Sequence, residues 1–297
     1  MRSSTLGMFL AGAAGVCWGA MGVVGQVLIT RYGFTPENLT VLRLLGGGAA
    51  LLAFARLAGF KVLSVFREAR DARDTFAYGL LIALMQYTFF VSVAYAGAGT
   101  AAVLSGAIPV FIVLLDALVA RRKPGFAETS GIVLAVSGIF LLVTNGDLSK
   151  LSFSNIGALA GIASAAAGAL TSIEPRRLIR KVPPVLVVGW GLLIGGMASA
   201  ALLPHGVGNA VFSAASVSGL LFVILVGTAA AFFFYMTSLR SIPASTAGLL
   251  SVSEPLSSVT LSSVIVGTAL TGLELLGALL IMAMTVIVSL SKREARA

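Results

Sequence analysis

The sequence predicts an all-α integral membrane protein whose ten transmembrane helices form two inverted five-helix repeats. Three observations predict it. Hydrophobic residues make up 58% of the 297-residue chain and charged residues 10%, against roughly 25% charged in a soluble domain. Ser105 and Pro109 recur as Ser251 and Pro255, in the runs TAAVLS at 100–105 and TAGLLS at 246–251, while Gly12, Gly19 and Ala20 recur as Gly161, Gly168 and Ala169. Self-similarity at half the chain length in lipid-soluble composition is how many secondary transporters are built. Third, the basic residues fall in alternate connections.

Apolar stretches of about 20 residues cross a ~30 Å hydrocarbon core as helices. They fall near 6–27, 36–57, 74–95, 100–121, 128–145, 155–173, 184–203, 216–238, 246–267 and 271–290, divided at Pro, Gly and charge clusters. Arg2 ahead of the first stretch invites comparison with a secretory signal. The run is longer than the roughly 7–15 apolar residues of such a signal, and its glycines recur in the second half, so it is expected to be a retained span. The connections are short and leave no room for a soluble domain.

Orientation follows from Lys and Arg. With the N-terminus in the cytoplasm, that side carries Arg2, the five basic residues of 56–73, Arg121, Arg122 and Lys123, the four of 176–181, Arg240, and the tail residues Lys292, Arg293 and Arg296. That is 17 basic residues, against Arg31 and Lys150 outside and Arg43 within a helix. The asymmetry predicts a multi-pass protein of the cell (inner) membrane with both termini cytoplasmic. It also accounts for the net charge of +9, since these charges face anionic lipid heads, and no nucleic-acid partner is expected. Five spans is an odd number, so the second half (148–297) enters the membrane from the side opposite to the first (1–147). The substrate site of such inverted repeats lies between them near mid-bilayer.

At this point the chain resembles the EamA branch of the drug/metabolite transporter superfamily. The resemblance rests on 99-GTAAVLSGAIPVFIVLLDALV-119 with 131-GIVLAVSGIFLLV-143, on 245-STAGLLSVSEPLSSVTLSSVIVG-267 with 277-GALLIMAMTVIV-288, and on Pro36 followed by Arg43. It covers almost the whole chain. The Gly-Glu that usually follows the proline-bearing helix is replaced by Arg121-Arg122 in one half and Gly267-Thr268 in the other, so any role of that glutamate is absent. Among members the chain is most similar to the YddG-type exporters, which implies export of aromatic amino acids.

Several chemistries are excluded. No lysine follows a glycine, so there is no Walker A motif, and no G-x-S-x-G elbow is present. One histidine, His205, makes neither a His-based triad nor a metal cluster, and the lone Cys17 reads as a small packing residue. No enzyme activity, metal or cofactor is expected.

Charges inside spans are functional hypotheses by default. Glu254 and Pro255 are the ninth and tenth residues of their span, ~14 Å deep at 1.5 Å per residue. Pro109 is the tenth of its own span. Both prolines should kink their helices at mid-membrane and free a carbonyl, either as hinges or as packing devices. Glu254 suits a proton or a substrate ammonium, or a structural carboxyl. Arg43 suits a substrate carboxylate, or snorkelling to the headgroups. Asp116 is expected to pair locally with Arg121–Lys123, and Glu174 and Glu274 to be solvated at span ends.

Tyr87 and Phe90 map at the 146-residue offset onto Phe233 and Met236, and with Trp18 they suit an apolar cavity wall; lipid-facing or core packing is the plainer alternative. Gly15-xxx-Gly19 and Gly157-xxx-Gly161 predict close helix approach in spans one and six. The function read from all this is secondary export of small apolar metabolites by alternating access, with aromatic amino acids the first choice. Cationic drugs or nucleotide sugars on the same architecture, or a channel or receptor, are the alternatives. The partners are a small-molecule substrate and the lipid bilayer, with a monomer and a homodimer both open.

Overall fold

The computed structural model describes residues 2–119, 121, 123–146, 156–202, 209–242, 244–268 and 270–294. Lys150, His205, Arg122, Arg296 and the 147/148 boundary between the halves lie outside the described residues. Among those described, every regular element is helical. Helices α1 (Arg2–Tyr32), α2 (Pro36–Leu57) and α3 (Ala69–Ala96) come first. Then follow α4 (Ala98–Ser105), α5 (Ile108–Val119), α6 (Phe126–Thr144), α7 (Ile156–Ile173) and α8 (Pro184–Leu202). Next, α9 (Ala214–Leu221) runs through a π-helical segment, Phe222–Ala230, into α10 (Ala231–Ser238). Last come α11 (Ala244–Leu250), α12 (Ser253–Leu261) with a π-helical end at Ser262–Val266, and α13 (Gly272–Glu294).

Seven described helical stretches are long and apolar enough to cross a membrane, and two shorter apolar ones lie in α6 and α13. Their flanks are exposed hydrophobics such as Leu57, Phe126 and Val264, a surface for lipid and not for water. The second helix begins where Thr35 and Pro36 dictate: the Thr35 hydroxyl accepts the Asn38 amide at 3.3 Å, and Pro36 needs no amide partner in the first turn. Helix α3 stops at Gly97, whose φ of 84° is open to glycine at little cost. Helix α4 restarts at once because the buried Gln26 side chain accepts the Ala98 amide at 2.9 Å.

Both prolines break their helices where their chemistry requires. A proline ring clashes with the carbonyl four residues earlier and offers no amide to it. For Pro109 that residue is Ser105, the last of α4, and for Pro255 it is Ser251, just past the end of α11. The chain crosses each break in tight turns, with Val110 donating to Ala107 at 3.0 Å and Glu254 to Ser251 at 3.0 Å. At the first break the Gly106 carbonyl accepts the Thr285 hydroxyl of α13 at 3.1 Å.

Glycine sets the helix crossings. On α2, a Cβ at Gly47 would lie 2.5 Å from Thr228 of the π-helical segment, and one at Gly48 would lie 2.6 Å from the Leu193 amide of α8. Helix α1 uses Gly15 and Gly19 to reach α12, where the Ser253 hydroxyl donates to the Gly12 carbonyl at 2.9 Å. Helix α7 uses Gly157 and Gly161 against the end of α3 and Leu104 of α4. The expected close approach is present, and its partners are these helices.

Candidate functional site

Among the described residues Arg43 is the largest fully buried side chain, 1% exposed. Its Nε donates to Thr228 Oγ1 at 2.8 Å and one terminal nitrogen donates to Gln86 Oε1 at 2.7 Å. The guanidinium also lies 5.7 Å from the centre of the Phe90 ring, within cation–π range. An isolated charge in an apolar bundle is costly, and three elements meet here to lower that cost: α2 brings the cation, α3 brings Gln86 and Phe90 one turn apart, and the π-helical segment brings Thr228. The π register matters locally, because the Thr228 hydroxyl donates its hydrogen bond to Val223 O, five residues back, at 2.9 Å. Its oxygen is thereby aimed at Arg43 as an acceptor. Arg43 does not snorkel; that alternative is overturned by its burial.

Glu254 stands in the first turn of α12, just after the break, on the part of that helix that Gly15 and Gly19 approach. Among the described residues no ion pair joins it to Arg43. A cation and a carboxyl are thus held in the bundle without contact between them. Next to Gly19, Trp18 packs its ring on Phe232 at 5.4 Å and Tyr235 at 5.5 Å.

The other expected site residues do not gather into one wall. Phe90 is wholly buried beneath Arg43. Tyr87, one residue round the helix from Gln86, turns to α2 and donates to Glu37 at 3.0 Å. Phe233 is 38% exposed and packs edge-on against Phe54 at 4.9 Å. Phe233 and Met236 line a shallow groove with Leu51, Val185, Val188 and Phe232. So Arg43 and Phe90 are fully buried and Trp18 and Glu254 half-buried, whereas Tyr87 and Phe233 face elsewhere. Sequence reasoning missed Gln86 and Thr228; a polar residue one turn from Phe90 in an apolar span was the available signal for Gln86. Glu274 is a helix cap, its carboxylate accepting the Thr271 amide at 2.7 Å.

One end of the bundle carries an ion-pair lattice. Arg177, in the connection between α7 and α8, reaches Asp71 at 2.6 Å and Asp74 at 2.7 Å at the start of α3, and Lys181 reaches Asp71 at 2.9 Å and Glu68 at 2.5 Å. Glu174 lies beside it and is not simply solvated: its Oε2 is buried and, among the described residues, has no hydrogen-bond partner. Burial first, and then the neighbouring Asp74, push its carboxyl up to about 6.

Comparison with known proteins places this geometry. The model of the EamA-like transporter family matches residues 5–144 and again 155–290. An uncharacterized inner membrane transporter, YicL, from Salmonella typhimurium is 35% identical over the full length of both chains. An uncharacterized transporter, YwfM, from Bacillus subtilis is 26% identical over 88% of this chain and 86% of its own. A crystal structure with 20% identity aligns over 98% of this chain and 99% of its own with a TM-score of 0.67, which shows the shared fold. The chain is therefore a membrane transporter that belongs to the EamA-like transporter family.

Proposed function

We propose that this chain is a secondary transporter of the inner membrane that exports small zwitterionic metabolites, aromatic amino acids foremost, by alternating access. The reading takes the broken segment 244–266 and the shorter helices α6 and α13 as membrane spans beside the seven longer ones, ten in all, with both termini cytoplasmic. The halves 1–147 and 148–297 are inverted repeats; the two separate family matches at 5–144 and 155–290 support that division.

The observation that carries the substrate class is Arg43 with Glu254: a wholly buried cation and a half-buried carboxyl inside the bundle, with no ion pair between them among the described residues. That arrangement suits a ligand bearing both a carboxylate and an ammonium. Arg43 presents its planar donors to the carboxylate, Glu254 takes the ammonium, and Trp18 with Phe232 and Tyr235 offers ring faces beside it. Prolines 109 and 255 supply the bends about which the helices rock.

Counterflow of labelled tryptophan in proteoliposomes tests this. Tryptophan and phenylalanine should compete, with alanine about tenfold weaker, since ring contacts add ~0.5–1.5 kcal/mol beyond burial. Equal competition by alanine sinks the aromatic class. Tryptamine and indole-3-propionate should each compete poorly, and if both match tryptophan the zwitterion reading fails. The engagement of Arg43 by Thr228 and Gln86 favours a second reading, in which Arg43 is structural and Glu254 alone recognises an organic cation. Tryptamine would then outcompete tryptophan.

A further inference from the structure

We propose that Glu174 is a proton-binding carboxyl that sets the strength of the ion-pair lattice tying the start of α3 to the connection between α7 and α8. The geometry makes the coupling direct. Arg177 bridges Asp71 and Asp74 of α3, and Glu174 precedes it by three residues in the same connection, with one carboxyl oxygen buried and unsatisfied among the described residues.

The charged groups that bear on Glu174 come from both elements: Asp74 and Arg73 from α3, and Arg177 from its own connection. Tyr78, one turn further along α3, is buried. Protonated, Glu174 fits its slot without a partner and leaves Arg177 to the aspartates. Ionised, it is a half-buried carboxylate next to Asp74, and among the described residues of its own connection the cation that bears on it is Arg177. Drawing on Arg177 loosens the hold on Asp71 and Asp74, and Lys181 is left to bridge Asp71 and Glu68 alone. Loss of the proton therefore frees this end of the bundle, and uptake of the proton latches it.

The test needs no transported solute, so its failure is separate from any failure of the transport reading. In a Cys17→Ala background, spin labels are placed at the exposed positions 70 and 180 of the full chain in nanodiscs. The distance distribution should be narrow at pH 5 and shift to longer, broader distances by pH 7.5, with a midpoint near 6. Glu174→Gln should stay narrow across that range, and Arg177→Gln should be broad throughout. A distribution that does not change with pH in the parent chain, or one that changes equally in Glu174→Gln, overturns the proposal. Monodisperse Glu174→Asp, which keeps the carboxyl, should retain the pH response; its loss there would also count against it.

Discussion

Arg43 is held by oxygens from two other elements, 43 and 185 residues away in sequence. Hydrogen bonds to charged groups contribute about 1.5–3 kcal/mol each, and the fork of the guanidinium makes both at once. Lysine has no such fork. Arg43→Lys should therefore destabilise the protein by about 1.5–3 kcal/mol, measured as denaturant unfolding in micelles, and unchanged stability would mean the two bonds contribute nothing net. Glu174 gives a residue-scale pH effect with a definite sign. Its folded pKa of about 6 lies above the ordinary 4.5, so the stabilisation from its proton is full below 4.5 and lost as pH rises through 6. Glu174→Gln should be the more stable form at pH 7.5, by at most about 1 kcal/mol after solvent screening, and should lose that advantage at pH 4.5. That Arg43 and Glu254 sit within apolar helices was legible from the long apolar runs around them, although snorkelling remained open for Arg43. The partners of Arg43 were not, since Gln86 and Thr228 meet it only when three helical elements pack. For Glu174 the sequence read a solvated carboxylate at a span end, whereas the start of α3 packs beside it and one of its oxygens is buried.

At the scale of elements, proline chemistry is local, and this is why the breaks at Ser105 and Ser251 could be foreseen from Pro109 and Pro255 alone. The π-helical segments leave no comparable mark, because one extra residue in a turn is decided by what packs on it, here Gly46, Gly47 and the Arg43–Thr228 bond. Small-residue spacing told that α1 and α7 approach neighbours closely; it carried no information on which neighbours. Two glycines separate the meanings of that residue. At Gly48 an added Cβ meets the Leu193 amide at 2.6 Å and the Gly189 carbonyl at 2.9 Å, both backbone, so Gly48→Ala should cost about 1–3 kcal/mol by overpacking. At Gly12 nothing lies within 4 Å, so Gly12→Ala should be neutral or stabilising by up to about 1 kcal/mol through helix propensity. Thermal unfolding in the same detergent checks both, and a reversed order would contradict the described α2–α8 crossing. Pro109→Ala and Pro255→Ala act on the breaks themselves. Each should slow counterflow several-fold with little change in unfolding midpoint, and undiminished exchange by both at matched expression would remove the hinge role.

At the scale of the whole molecule, the connections sort themselves by end. The ion pairs of Lys181 with Glu68 and Asp71 bring the α2–α3 and α7–α8 connections together. The Val211 amide donates to the Tyr32 carbonyl at 2.8 Å, and Phe34 packs on Phe212 at 5.4 Å, which joins the α1–α2 connection to the start of α9. The first pair of connections is rich in Lys and Arg, and the excess of basic residues marks the cytoplasmic side. These contacts fix which connections share a side, and the charge asymmetry predicts that the basic side is the cytoplasmic one. The prediction uses single cysteines in a Cys17→Ala background, at exposed positions: Arg67→Cys and Arg180→Cys on one end, Val211→Cys on the other. Leu178 is fully buried, so a label there would report packing and not sidedness. In right-side-out vesicles a membrane-impermeant maleimide should label position 211 and leave 67 and 180 unlabelled until the membrane is opened. External labelling of both 67 and 180 would invert the orientation while keeping the shared end. Labelling of only one of them from outside would break the pairing of the connections, and the inverted-repeat arrangement would go with it.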